Sequence, residues 1–226
     1  MKKNKVSINI VSSFNHANFV NLLKNSDNFN WEINDADYNQ VFQTLTNSNA
    51  KMWRKRSNVT MIWTTPESIS SEFQKLQNKN EANSDIIKKD IDYFCSCIKS
   101  IMKYSDIVLV PNWIPKQPNE SNLAFAYSKG FGLEYNLSFM NYYLSEQLNR
   151  EKNLYILNSS KWLLNCGTSS AYSSKLWYLT KTPFSNDFFK LVISDLSNLY
   201  ESTKGLSKKL LVLDLDDTLW GGIVGE

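Results

Sequence analysis

The stretch Asp85-Ile-Ile-Lys-Lys-Asp-Ile-Asp-Tyr-Phe-Cys-Ser-Cys-Ile-Lys-Ser-Ile-Met-Lys-Tyr-Ser-Asp-Ile-Val-Leu-Val110 changes its hydrophobic period partway along. Up to Met102 the apolar residues Ile87, Ile91, Phe94, Ile98, Ile101 and Met102 recur mostly three or four apart, the spacing that one buried stripe of a helix requires. From 107 to 110 every residue is apolar, as in a short strand covered on both faces. A helix running into such a strand is half of a crossover unit, because parallel strands can be joined only by a long return over one face of the sheet.

The alternation extends in both directions. Further apolar runs at 6–11, 59–63, 154–157 and 210–213, and a weaker one at 29–33, predict strands. Helical periodicity is expected at 18–23, 38–45, 66–76, 133–148 and 186–200. The third of these helical segments opens on Thr65 as N-cap with Pro66 in its first turn, and the last stops before Gly205. This order predicts an α/β fold: a three-layer, doubly wound, mostly parallel sheet. The Asn- and Lys-rich segment 77–84 reads as a polar loop, and 111–132, with three prolines and two glycines, as a long surface excursion.

Composition narrows the function. The 226 residues carry a formal charge of +3 and are 42% hydrophobic, which suits a folded domain and offers no basic stripe for nucleic acid. The short basic cluster at 51–56 reads as a solvated face. The apolar run at 6–11 is too short for a secretory signal, and no segment reaches the roughly 20 residues of a membrane span. The three cysteines, Cys95, Cys97 and Cys166, show no metal-like spacing, so a cytoplasmic chain without structural disulfides is expected. One histidine, His16, cannot build a His-rich metal site.

The chemistry is concentrated near the end. Leu210-Leu-Val-Leu runs directly into Asp214-Leu-Asp216-Asp-Thr218. A buried parallel strand presents such carboxylates at its C-terminal edge, where α/β sheets bind ligands. Two aspartates in this spacing can divide the work of phosphoryl transfer, one attacking phosphorus and the other handling the proton. Carboxylates and phosphate repel, which calls for an oxygen-seeking cation such as Mg2+.

Asp-x-Asp-x-Thr after an apolar strand resembles motif I of the haloacid dehalogenase superfamily. The longer string Leu213-Asp-Leu-Asp-Asp-Thr-Leu-Trp-Gly-Gly-Ile-Val-Gly-Glu226 resembles its FkbH-like branch, phosphatase subclass IIIC. The resemblance implies that Asp214 is nucleophile and metal ligand. It implies that Asp216 is general acid/base with its carbonyl on the metal, and that Thr218, Gly221 and Gly222 support the phosphate loop. It implies Mg2+ as cofactor, a phosphorylated small molecule such as a bisphosphoglycerate as donor, and transfer of a glyceryl-type unit to an acyl carrier protein. Related proteins serve secondary-metabolite or surface-polysaccharide biosynthesis.

The family places an SGNH-hydrolase-like α/β domain first, so residues 1–205 are expected to form that domain and 206–226 to begin the phosphatase domain. The superfamily's remaining groups (a Ser/Thr, a Lys and a late acidic pair) all follow motif I. The 226 residues alone are therefore expected to be inactive, whether a fragment or a truncated product.

The first domain offers a weaker possibility. Ser12 or Ser13 occupies the place of an SGNH nucleophile, but no Gly-Asp precedes it and 177–183 contains no histidine. His16 is expected to cap the following helix; Asn39 and Gln40 fall near where such folds place oxyanion groups, and a surface helix start is the expected reading there. The alternative to an enzyme is thus a catalytically silent module that docks a carrier protein or substrate, with Trp113 and the aromatics of 125–131 as core or as binding surface.

Overall fold

A computed structural model describes residues 4–78, 80–115 and 124–205. The five strands are β1 (Lys5–Ser12), β2 (Asn30–Asp35), β3 (Ser57–Trp63), β4 (Ser105–Pro111) and β5 (Leu154–Leu157). They pair in the order β2-β1-β3-β4-β5, every pair parallel. The expected fold class is therefore found, with a sheet that is parallel throughout rather than mostly.

Alternation along the strands builds the two outer layers. Val11, Ile62, Val108 and Val110 point to one face, against α2 (Val41–Thr46), α4 (Ser71–Gln77), α5 (Ser84–Ile101) and α6 (Leu133–Leu148). The Ser12↔Trp63 pair puts Trp63 on the other face, under Phe19 of α1 (Ala17–Lys24), Trp162 of α7 (Ser159–Cys166) and Phe188 and Phe189 of α10 (Asn186–Thr203). Burial of these side chains removes apolar surface from water, the main force holding the layers together.

The long helices stand where their stripes put them. In α5, Ile87, Ile91, Phe94, Ile98 and Ile101 are all buried, and the Asn83 side chain caps the first turn by accepting from the N–H groups of Asp85 and Ile86. Three local readings need correction. The helix expected over 66–76 is broken into α3 (Pro66–Ile69) and α4, because Ser70 is extended at φ −131°, ψ 123°, and its hydroxyl donates to Asp90. Thr65 precedes α3 without a side-chain cap. β2 begins and ends later than 29–33 and reaches Asp35. The segment 159–180 holds three short helices, α7, α8 (Thr168–Ala171) and α9 (Ser174–Thr180), too short to show a stripe.

The backbone divides into two compact units, 1–193 and 194–226. In the second, the described residues continue α10 and turn at Gly205, which has φ +68°. The strand expected at 210–213 lies outside the described residues. Among those described, no helix is long and apolar enough to cross a membrane. The basic cluster is exposed, with Arg56 Nε donating to Asp106 at 3.0 Å.

Candidate functional site

In a parallel sheet of this order the strand connections reverse direction between β1 and β3, and ligands of such folds bind in the crevice beyond those strand ends. Ser12 and Ser13 stand there, both buried. Both hydroxyls are engaged by backbone groups. Ser12 Oγ donates to the Phe14 carbonyl at 3.0 Å and accepts the Phe14 N–H at 3.2 Å. Ser13 Oγ accepts the Thr65 N–H at 2.9 Å, tying the end of β1 to the end of β3.

His16 is not the helix cap the sequence suggested. It occupies the N-cap position of α1 without a side-chain cap bond, and the neighbouring Asn15 Oδ1 takes the Ala17 N–H at 3.0 Å instead. The buried imidazole places Nδ1 3.3 Å from the Phe14 carbonyl and Nε2 3.5 Å from Asp35 Oδ2. Among the described residues no hydrogen bond joins the ring to either serine, so no triad is assembled.

The crevice itself is filled. Asn15 holds the segment after α9, its Nδ2 donating to Thr180 O at 3.0 Å and its N–H to Lys181 O at 3.1 Å. This brings Phe184 flat against Trp63, ring centroids 5.7 Å apart and 16° between planes. Trp63 also meets Phe14, Phe19, Trp162, Phe188 and Phe189. Six aromatic neighbours therefore surround this one buried ring.

Farther along the same edge, past β4, a groove of about 340 Å³ is open. Its floor is rigid: Trp113 N–H donates to Asn141 Oδ1 at 2.7 Å, Asn141 Nδ2 donates back to Trp113 O at 2.8 Å, and Trp113 Nε1 reaches Thr64 Oγ1 at 2.9 Å. Tyr172 donates to the Pro115 carbonyl at 2.8 Å, and burial, assisted by the Glu134 carboxylate, raises its phenol above the usual value. Its lining combines the amide of Asn141, the hydroxyls of Ser138, Ser160 and Thr168, the Glu134 carboxylate and apolar walls, a set that suits binding. Asn141 and Tyr172 were not foreseen, since a single asparagine or tyrosine carries no spacing signal.

The aromatics of this region divide. Trp113 is core, while Phe125, Tyr127 and Phe131 are 61%, 73% and 52% exposed on a turn closed by Gly132. A Cβ at Gly132 would stand 2.4 Å from the Ala126 carbonyl oxygen, so that turn requires glycine. The helix expected from 38 begins at Val41, with Gln40 as its N-cap and Asn39 before it in the left-handed region at φ 58°.

Asp214, Asp216, Thr218, Gly221 and Gly222 lie outside the described residues. Among the described ones no group of three or more His, Cys, Asp or Glu could hold a metal ion.

Comparison with known proteins agrees with the architecture. A solved structure, the N-terminal part of a Bacteroides fragilis protein containing a phosphatase domain and complexed with Mg, matches with a TM-score of 0.78 at 21% identity. It covers 99% of this chain, and this chain spans 59% of its length, so the likeness establishes the fold. A Bacillus subtilis protein matches at a TM-score of 0.47 and 12% identity over 92% of this chain and 58% of its own, too distant to support an argument. No curated protein matches. The model of the family described as FkbH, N-terminal domain, matches residues 16–200, and the chain belongs to that family.

Proposed function

We propose that this chain is the N-terminal part of a magnesium-dependent phosphatase/acyltransferase that moves a glyceryl-type unit from a phosphorylated donor to an acyl carrier protein. The observation that supports this most is a juxtaposition in sequence: the FkbH N-terminal domain at 16–200 is followed ten residues later by Leu210-Leu-Val-Leu-Asp-Leu-Asp-Asp-Thr-Leu-Trp-Gly-Gly222. In this reading 206–226 opens the phosphatase domain. Asp214 attacks the ester phosphate of a bisphosphorylated donor, breaking its P–O bond to give an aspartyl-phosphate, while the carrier thiol attacks the acyl carbon and displaces the acyl phosphate as phosphate. Asp216 protonates the leaving oxygen and then takes a proton from the hydrolytic water. Thr218, Gly221 and Gly222 shape the loop around the phosphate. The oxygen donors of Asp214 and Asp216 fit Mg2+, which would offset the repulsion between carboxylates and phosphate.

The same proposal assigns the SGNH-like residues a positioning role without hydrolysis. It is favoured by the use of both candidate serine hydroxyls in backbone hydrogen bonds. The groove past β4 and the exposed Phe125, Tyr127 and Phe131 would serve to seat a carrier protein or substrate.

One experiment tests both parts. In the full-length protein with Mg2+, Asp214→Asn is expected to reduce phosphate release from a phosphate-ester donor by at least about 10³-fold, the scale of losing a nucleophile. Ser12→Ala and Ser13→Ala are expected to keep turnover per folded molecule. Retained turnover in the first variant removes Asp214 as nucleophile, and loss in a folded serine variant overturns the silent-domain reading.

A further inference from the structure

A second cleft, of about 370 Å³, opens past the C-terminal end of the edge strand β2. The register Ile10↔Asp35 and the Ala36 N–H donating to Ile10 O at 2.8 Å end the strand there, leaving the 50%-exposed Asp35 carboxylate at the rim. The chain then turns through Asp37 into α2, whose Gln43 and Thr44 form one wall. The opposite wall is a 3-10 turn, Lys51–Trp53, tied to α2 by Trp53 Nε1 donating to Thr44 O at 2.9 Å. Asn9 braces the base, accepting from Asn34 at 3.2 Å and donating to Met52 O at 3.4 Å. The walls are therefore held in place by hydrogen bonds whether or not anything occupies the cleft.

The lining carries a chemical bias. Asn34, Gln40, Gln43 and Asn47 each offer a donor and an acceptor, and Asp35 and Asp37 add strong acceptors. A hydroxyl group, itself donor and acceptor, is matched by such a set. Two carboxylates against the one ammonium of Lys51 disfavour phosphate. The apolar lining is limited to Ala36, Ala50 and Met52, too little for a lipid or a stacked ring.

Asp35 also faces a buried imidazole. His16 is 5% exposed, and its Nε2 is buried without a hydrogen-bond partner. The Asp35 carboxylate lies 3.5 Å from it, too long for a good hydrogen bond. Buried polar atoms are rarely left so, and a small movement of the Asp35 carboxylate would complete the contact.

We infer that this cleft binds a small polyhydroxylated molecule, with Asp35 and Asp37 accepting from its hydroxyls and the amide side chains completing the shell. Pockets that bind small molecules begin at about 300 Å³, so the volume admits a ligand the size of a monosaccharide or smaller. This inference does not depend on the phosphatase reading, since none of its residues belongs to 206–226.

The test is a titration of the isotopically labelled 226-residue chain followed by amide shifts. The probes are glucose, mannose, inositol and glycerol, with ethylammonium and inorganic phosphate as the charged alternatives. Saturable shifts at 34–37 and 40–51 are expected with at least one polyol, and Asp35→Asn should weaken that binding about tenfold or more, the scale of losing a charged hydrogen-bond acceptor. Should Asp35→Asn not fold, Gln43→Ala on exposed α2 is expected to weaken binding as well. No saturable shift with any polyol, stronger binding of ethylammonium or phosphate, or affinity unchanged in a folded variant would each overturn the inference.

Discussion

Ser13 illustrates how little a residue's identity says about its use. It follows a buried strand at the place where a hydrolase of this architecture aims a nucleophile, yet its Oγ is committed to the Thr65 N–H at 2.9 Å. Replacing it by alanine leaves that buried N–H, itself at the end of β3, without an acceptor. Ser13→Ala should cost about 1–3 kcal/mol, read as a lower denaturant midpoint with unchanged slope. A variant as stable as the parent would show that water replaces the bond and that the junction of β1 and β3 does not rely on it. At this scale the sequence Val11-Ser-Ser-Phe-Asn-His16 revealed the position but not the partners. The carbonyl of Phe14, shared by Ser12 and His16, is invisible in a string of side chains. The exchange of capping roles between His16 and Asn15 has the same origin: both residue types can cap, and only geometry decides.

Elements were legible where they were long. The stripes of α5 and α6 run for 18 and 16 residues, enough for the 3.6-residue period to stand out. Helices α7 to α9 were missed because each buries few side chains, none at all in α9, so periodicity had nothing to report. The break between α3 and α4 hides inside an apparently continuous pattern, and it places Glu72 in an unusual setting. This carboxylate is 5% exposed, accepts from Lys75 Nζ and takes the Asn83 N–H at 2.9 Å. The Lys75 hydrogen bond first, then the Asn83 N–H, hold its pKa below the usual 4.5. A carboxyl whose folded pKa is depressed contributes stability that is fully present above the unfolded value and lost as pH falls through the folded one. The contribution should therefore be intact above pH 4.5 and decline on acidification below it. Glu72→Gln should lower stability at pH 7 by about 1 kcal/mol and flatten the decline below pH 4.5, measured by denaturant unfolding across pH. An unchanged acid limb in the variant would assign that decline to other groups.

At the scale of the molecule, the doubly wound order followed from the alternation of apolar runs with amphipathic stretches, because parallel strands leave few ways to connect. What fills the switch point could not be read. Phe14, Phe19, Trp63, Trp162, Phe184 and Phe188 come from segments separated by up to 174 positions, and only the folded sheet brings them together. If that cluster is a packed core in the place of a site, its centre should behave as core does. Trp63 is 2% exposed and touches six rings, each pair worth about 0.5–1.5 kcal/mol beyond its buried area. Trp63→Ala removes those contacts and leaves a cavity that the braced ends of β1 and β3 cannot close. The expected loss is about 3–5 kcal/mol, and Trp63→Phe, which keeps one ring, should lose less. Denaturant midpoints for the two variants measure the difference. A loss under about 1 kcal/mol for Trp63→Ala would mean that the crevice tolerates an opening, and a ligand site between β1 and β3 would then have to be reconsidered.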